Sequence, residues 1–152
     1  MSQRTTDHAT FTIERVLTQP PARVFAAFTD PASKRAWFVG PDGTSSTDHA
    51  IDARAGGSER LTTTLPDGTA ITFSASYRDV VPDTRLIYAY DMTVDDARIS
   101  VSLVSIEFAP VAGGTRLTVT EHGIFLDALD HVDERRRGTE ELLDKLTTWL
   151  DR

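Results

Sequence analysis

Cysteine is absent from this 152-residue chain, which excludes disulfide bonds, thiol catalysis and thiolate metal sites. Basic residues are also in the minority, since 16 Lys and Arg stand against 23 Asp and Glu and the net charge is −7. Nucleic acids bind to basic surfaces, so we expect no nucleic-acid partner. The one basic cluster, Arg135–Arg137, lies among acidic residues, and we interpret it as a solvated helix face.

Long hydrophobic runs are missing as well. No apolar segment reaches membrane-spanning length, and the first residues, MSQRTTDHATF, lack the apolar centre of a signal peptide. We therefore expect a cytoplasmic protein that does not engage a membrane. The hydrophobic content of 39% still allows a real core, and the length suits a single domain over residues 1–152.

Motifs that would identify common cofactors are absent too. There is no Walker loop, dinucleotide fingerprint or G-x-S-x-G elbow, and the four histidines lack metal-ligand spacing. The glycine pairs Gly56-Gly57 and Gly113-Gly114 are typical of hairpin turns and not of phosphate-binding loops. We expect neither a cofactor nor a metal site.

The pattern of the chain predicts a strand, two short helices, a run of strands and a long helix. Pro20 and Pro21 end the first strand, and Asp30-Pro31 is typical of a helix start, with Asp30 as its N-cap. Turn signals such as Pro66-Asp67-Gly68 separate the later strands. Including the first, six or seven strands are expected, over about 9–18, 47–53 (weak), 58–65, 69–80, 85–93, 99–108 and 115–122.

Two features of this pattern leave questions open. In the strand over 99–108 the apolar residues Ile99, Val101 and Leu103 change phase to Val104, Ile106 and Phe108, which indicates a bulge or strong twist. The last helix has a continuous apolar stripe, but it begins either near Asp130 or near Thr139. The stripe comprises Leu142, Leu143, Leu146, Trp149 and Leu150.

Four stretches carry a resemblance to a known family. ERVLTQPPARVFAAFTDPASKRAWF, DARAGGSERL, GGTRLTVTEHGIF and GTEELLDKLTTWL resemble, in this order, the START-like, birch-pollen-allergen-like SRPBCC superfamily, in its branch of activator of heat-shock protein 90 ATPase homologues. The resemblance covers nearly the whole chain. It departs in the last helix, where many members carry Gly-Trp and this chain has Gly138-Thr139.

The resemblance implies an α+β helix-grip fold, in which a curved antiparallel sheet wraps around a long C-terminal helix and leaves a cavity between them. The superfamily is functionally mixed, and it includes lipid and hormone binders, cyclases and hydrolytic enzymes, so the fold alone does not give the function. We expect the following residues to line the cavity: Phe28, Trp37, Phe73, Tyr77, Tyr88, Tyr90, Met92, Ile106, Phe108, Glu121, Phe125, Leu142 and Leu146.

Glu121 is the sharpest candidate for a functional group. It continues the apolar face of Leu117 and Val119, so its carboxylate should lie on the inner face of the sheet. It is either an acid/base or a ligand anchor, or it pairs with an arginine or with water at the strand end. His122 should then face outwards, and Gly123 should allow a turn that folds Phe125 back.

Three hypotheses for function follow. The preferred one is a binding protein for a hydrophobic or aromatic small molecule, held by hydrocarbon burial and oriented by Glu121, Tyr77 and Tyr88. The second is a stress-response module that stimulates a heat-shock protein 90 type ATPase, with a chaperone as partner. The third is a cyclase, dehydratase or hydrolase that uses Glu121 as its acid/base. The sequence allows either a monomer or a homodimer.

Overall fold

The computed structural model describes residues 4–152 and has an α+β architecture of one antiparallel sheet and three helices. The strands are β1 Thr6–Leu17, β2 Ser45–Ile51, β3 Ser58–Thr64, β4 Ala70–Val81, β5 Arg85–Val94, β6 Ala97–Val111 and β7 Gly114–Leu126. The helices are α1 Pro21–Thr29, α2 Pro31–Trp37 and α3 Val132–Leu150. Within these residues, no helix is both long and apolar enough to cross a membrane.

The predicted element order and fold class are confirmed. The seven strands form one open sheet in the order β1-β7-β6-β5-β4-β3-β2, so the first strand lies at one edge beside the last strand. All neighbouring strands are antiparallel. The expected domain spans 1–152, of which residues 1–3 lie outside the described residues.

Local sequence signals determine both short helices. Pro21 occupies the first turn of α1, where the missing backbone N–H has no intrahelical partner to lose. Asp30 caps α2, since its carboxylate accepts a hydrogen bond from the backbone N–H of Ser33 at 3.0 Å. The weak strand expected over 47–53 lies two residues earlier, at Ser45–Ile51.

The core lies between the inner face of the sheet and the helices. Inner side chains such as Leu117 and Val119 of β7 are buried, and so are Leu143, Leu146 and Leu150 on α3. The outer face of β1 and β7 carries threonines and the exposed His122, whose Nδ1 lies 3.0 Å from the Thr10 hydroxyl. The prediction that His122 faces outwards is thus confirmed.

The phase change in β6 occurs earlier than the sequence suggested. The register slips where Met92 pairs with Ser100 and Thr93 with Arg98, so that Ile99 is the bulged residue. After this bulge the even-numbered residues face inwards. Val101 and Leu103, expected on the apolar face, are therefore on the outer face with 37% and 48% exposure.

Two serines occupy the inner face in their place. Ser100 and Ser102 are buried, and both bind charged side chains described below. The prediction placed Val101 and Leu103 on the inner face because it followed the alternation of apolar residues. Alternation alone does not show which face of the sheet a residue occupies after a bulge.

The turn predicted at Gly123 is wrong. β7 continues through Gly123 to Leu126, and Gly123 pairs with Ala9 and Ser102 on its two sides. A Cβ at this position would lie 2.8 Å from the Phe125 ring and 3.1 Å from the Ser102 hydroxyl. The glycine therefore makes room for the Phe125 ring within a regular strand.

The long helix begins close to the earlier of the two expected starts. His131 is its N-cap residue, and Gly138 lies in its interior. Asp130, expected as the cap, instead precedes it and accepts a hydrogen bond from the backbone N–H of His131 at 2.8 Å. Its carboxylate is engaged by Arg135.

Candidate functional site: a cavity with a buried charged cluster

A cavity of about 390 Å³ lies between the inner face of the sheet, α2 and α3. Its walls are largely apolar and aromatic. Of the residues expected to line it, the structure places these against the cavity: Phe28, Trp37, Phe73, Tyr88, Tyr90, Met92, Ile106, Glu121 and Leu142. This size and composition are typical of a small-molecule site.

The other expected lining residues lie elsewhere in the core. Tyr77 points its hydroxyl at Glu59, to which it donates at 2.7 Å. Phe108 packs edge-on against Phe25 and Phe28, and Leu146 is fully buried on the core-facing side of α3. Phe125 lies beside the Arg135 guanidinium, with 5.4 Å from its ring centroid to Cζ. The period-two and helical spacings correctly predicted that these residues face the core, but spacing alone does not show which core residues line the cavity.

Glu121 meets an arginine. Its Oε2 accepts hydrogen bonds from the Tyr90 hydroxyl at 2.8 Å, from the Ser102 hydroxyl at 2.7 Å and from Arg135 Nη1 at 3.2 Å. Glu121 and Arg135 are only 3% and 8% exposed, so this is a buried ion pair. Removing one partner of such a pair strongly destabilises a protein, because the other charge is then left buried and uncompensated.

Arg135 binds more than Glu121. Its Nη1 also donates to the Tyr90 hydroxyl at 2.8 Å, and its Nη2 donates to Ser100 at 2.8 Å and to the carboxylate of Asp130. The interpretation of Arg135–Arg137 as a solvated face is therefore wrong for Arg135. We call Glu121, Asp130, Arg135, Tyr90 and Ser100 with Ser102 the arginine cluster.

The charges of the arginine cluster determine its proton affinities. Burial alone would lower the pKa of Arg135, but Tyr90, Glu121 and Asp130 outweigh it and hold that pKa above its ordinary value. Burial, followed by the nearby Glu121 charge, raises the pKa of Tyr90 well above its usual range. Arg135 therefore stays charged and Tyr90 stays neutral, so the Tyr90 hydroxyl keeps the proton it donates to Glu121.

A second buried charged cluster joins α2 to β3. Lys34 Nζ donates to Glu59 Oε1 at 2.9 Å, and His49 Nε2 lies 3.0 Å from Oε2 of the same carboxylate. Together with the hydrogen bond from Tyr77, these groups form what we call the lysine cluster. Lys34 Nζ also lies 4.4 Å from the centroid of the Phe38 ring, which is a cation–π distance.

The lysine cluster holds one atom without a partner. Within residues 4–152, His49 Nδ1 is the buried side-chain polar atom that lacks a hydrogen bond. Burial alone would raise the pKa of Glu59, but the Lys34 ammonium and the hydrogen bonds from His49 and Tyr77 outweigh it and place that pKa below 4.5. Glu59 is thus a carboxylate held ionised inside the protein.

A second hollow, of about 560 Å³, shares the segment 38–41 with the apolar cavity as part of its lining. Exposed polar residues form part of its lining, namely Asp42 in the loop after α2 and Ser46 and Asp48 on β2. A ligand there would bury little apolar area, so hydrophobic burial would contribute less to its binding. We therefore place the candidate site in the smaller, apolar cavity.

The opening of the apolar cavity lies between α3 and the segment that follows α2. Its exposed lining residues are Glu134 and Glu141 on α3 and Pro41 on that segment. Lys145 joins the two sides, since its Nζ donates to the carbonyl of Gly40 at 2.8 Å and to that of Val39 at 3.2 Å.

Some of the site residues that the sequence analysis missed had usable signals. Arg135 lies seven residues before Leu142, so two helical turns along the apolar stripe lead directly to it. Glu59 alternates with Leu61 on β3, as Glu121 does with Val119 on β7. Lys34 is the exception, because a lysine on a seven-residue helix gives no sign that it is buried.

Comparison with known proteins agrees with this architecture. A structure from Rhizobium leguminosarum is 41% identical, has a TM-score of 0.95 and is matched over 99% of both chains. Mll3558 from Rhizobium loti is 39% identical with a TM-score of 0.88, matched over 95% of this chain and 99% of the other. The AHSA1-like protein from Aeromonas hydrophila, at 22% identity and a TM-score of 0.71 over 94% and 92% of the two chains, shows the fold alone.

Among curated proteins, none matches the chain significantly. The family model described as Activator of Hsp90 ATPase homolog 1-like protein matches residues 18–151. The resemblance seen in the sequence is thereby confirmed, and the chain belongs to the family of Activator of Hsp90 ATPase homolog 1-like proteins.

Proposed function

We propose that this protein binds a hydrophobic or aromatic small molecule in the cavity between the sheet and α3. The observation that supports the proposal is an apolar, aromatic-walled cavity that ends in the arginine cluster. Burying apolar ligand area contributes about 25 cal/mol per Å², so about 100 Å² offsets roughly 2.5 kcal/mol of the cost of association. The polar end then fixes the orientation of the ligand.

Individual residues have distinct roles under this proposal. Trp37, Phe73 and Leu142 provide apolar walls, and Tyr88 provides an aromatic wall with a hydroxyl. Glu121 is the polar anchor. Tyr77, an expected anchor, has no such role because its hydroxyl is engaged by Glu59 outside the cavity.

Gly138 offers a direct test by filling the cavity. It lies in the lining, and a Cβ built there meets no atom within 4 Å. Its helical neighbours Arg135 and Leu142, three residues before and four after, also line the cavity, so a side chain at 138 would share their direction. Gly138→Phe should therefore occupy the cavity without removing a core contact.

The measurement is a thermal-shift screen of neutral aromatic compounds, followed by calorimetry with 1-naphthalenemethanol as a defined probe. We expect compounds at about 100 times their dissociation constant to stabilise the parent by about 2.7 kcal/mol. Gly138→Phe should lose this stabilisation, whereas Gly138→Ala should keep it. The proposal is contradicted if no compound stabilises the parent, or if Gly138→Phe binds as well as Gly138→Ala.

The two other hypotheses remain predictions. Stimulation of a chaperone ATPase would require a protein-binding surface; ATPase assays and pull-downs with the host's own chaperone test this. Acid/base catalysis by Glu121 has weaker support, because three donors already engage Oε2 of its carboxylate. A cytoplasmic location is likewise a prediction that fractionation of the host cell would test.

A further inference from the structure

The polar end of the cavity carries more negative than positive charge. Glu121 and Asp130 are both paired with the single guanidinium of Arg135, and all three residues are at least nine-tenths buried. These three residues line the cavity together. A ligand whose head lies at this end therefore meets one uncompensated negative charge in a poorly hydrated environment, where electrostatic interactions are strong.

The four hydrogens on the two terminal nitrogens of Arg135 are already committed. Nη1 donates to Tyr90 and Glu121, and Nη2 donates to Ser100 and Asp130 and lies 3.6 Å from the Met92 sulfur. Each of these nitrogens has two hydrogens to give. An incoming carboxylate or phosphate would have to displace these partners in order to bind the terminal nitrogens.

Acceptor capacity, by contrast, remains at Glu121. The three hydrogen bonds to its carboxylate all reach Oε2, and Oε1 receives none of them. Glu121 lines the cavity, and within residues 4–152 its oxygens are not among the fully buried atoms without a partner. Oε1 is therefore the group that a donor on a bound ligand would meet.

The other cations that line the cavity are committed as well. Lys34 is bound to Glu59, and Lys145 is bound to two backbone carbonyls. At the opening, the exposed Glu134 and Glu141 add negative charge. The two carboxylates outnumber the single ammonium of Lys145, which binds neutral carbonyls, so the opening has a net negative charge that attracts cations and repels anions.

We propose that the ligand of this cavity is an amine: an apolar or aromatic body that carries a cationic, hydrogen-bond-donating head at Glu121. This inference rests on the proposed function and specifies its ligand class. Burying an ammonium is costly unless it is paired, and the surplus carboxylate offsets that cost. The ring of Tyr88, together with that of Tyr90, adds an aromatic surface that favours a cation over an anion.

The test uses three probes of nearly equal shape at pH 7: 1-naphthylmethylamine, 1-naphthalenemethanol and 1-naphthoate, with charges of +1, 0 and −1. We expect calorimetry on the full chain to rank affinity in that order, with the amine binding at least about tenfold tighter than the carboxylate. Equal affinities, or tighter binding of the carboxylate, would overturn the amine proposal while the cavity hypothesis survives. If none of the three probes binds, the cavity hypothesis and the amine proposal both fail.

Single substitutions test whether Glu121 and Glu134 cause the preference for the amine probe. Glu121→Gln keeps the shape but removes the charge, so it should remove most of the amine preference, measured as the ratio of amine affinity to carboxylate affinity. Because that variant also disturbs the Arg135 pair, the exposed Glu134→Gln provides a second measurement. It should weaken amine binding about twofold to fivefold at low salt, while the control Glu140→Gln, on the same helix but outside the lining, changes nothing. An undiminished amine preference in both Glu121→Gln and Glu134→Gln would overturn the proposal.

Discussion

At the scale of single residues, two buried cations carry much of the organisation of this protein. Lys34 comes from a helix and reaches Glu59 on the sheet, and Arg135 comes from another helix and reaches Glu121. Both pairs are almost inaccessible to water. Replacing such a pair by hydrocarbon is often neutral, but breaking it by removing one partner is costly. Removing one partner of either pair should therefore cost more stability than replacing both partners by apolar residues.

Lys34→Met should destabilise the protein by about 3–5 kcal/mol, because it leaves the buried Glu59 carboxylate without its cation. Urea denaturation measures the change in the free energy of unfolding. Arg35→Met is the matched control, an exposed cation on the same helix, and should change stability by no more than about 0.5 kcal/mol. Adding Glu59→Leu to Lys34→Met should recover much of the loss. Similar effects of the two single variants would contradict a buried pair.

The lowered pKa of Glu59 predicts how its contribution depends on pH. Its folded pKa lies below the ordinary value of 4.5, so the stability it provides is fully present above 4.5 and is lost as pH falls through the folded value. The gap in unfolding free energy between the parent and Glu59→Gln should therefore narrow as pH falls below 4.5. The pKa values of Asp30 and Asp67 are also lowered, but these residues are the same in both proteins and cancel. A gap that stays constant down to acid unfolding would refute this.

At the scale of elements, β7 shows how one glycine determines the packing of a whole strand. The strand alternates Leu117, Val119, Glu121, Gly123 and Phe125 on its inner face. The Phe125 ring leans over Gly123 and towards Arg135. The absence of a side chain at one inner position thus provides room for a ring at the next, and that ring covers the arginine cluster.

Gly123→Ala should cost about 1–3 kcal/mol, because the new methyl group would overlap the Phe125 ring. Gly138→Ala, at a helical glycine with open space around it, should instead stabilise the protein by about 1 kcal/mol. Both changes are measured by urea denaturation. In a double-mutant cycle, the cost of Gly123→Ala should shrink when Phe125→Leu is also present. A cost that is independent of residue 125 would remove this explanation.

The elements also show what the sequence could and could not reveal. The order of strands and helices follows from alternation, turn residues and the stripe on α3, since these are local signals. The inner face of β6 does not, because the bulge at Ile99 reverses the alternation and exposes Val101 and Leu103. The partner of Glu121 was missed because Arg135 belongs to a run of three arginines, which is typical of a solvated helix face. Only its position two helical turns before Leu142 indicates that it lies on the buried side of α3.

At the scale of the whole molecule, the first strand of the chain is paired with the last. β1 pairs with β7 over its whole length, from Thr6 opposite Leu126 to Leu17 opposite Thr115. This pairing connects residues far apart in sequence, so its entropic cost of closure must be met before the sheet is complete. The lysine cluster then attaches α2 to β3, and the arginine cluster attaches α3 to β7. Each helix is fixed to a different part of the sheet, and the cavity is the space between the two attachments.

The two hydrogen bonds from Lys145 across the opening should limit the rates at which a ligand enters and leaves the cavity. A ligand that enters or leaves between α3 and the segment 38–41 must pass the place where Lys145 holds the carbonyls of Val39 and Gly40. We expect Lys145→Met to shorten the residence time of the neutral probe 1-naphthalenemethanol severalfold and to speed its entry to a similar extent, with little change in its equilibrium affinity. Stopped-flow fluorescence with this probe measures both rates. If Lys145→Met leaves both rates unchanged, ligands do not exchange by this route.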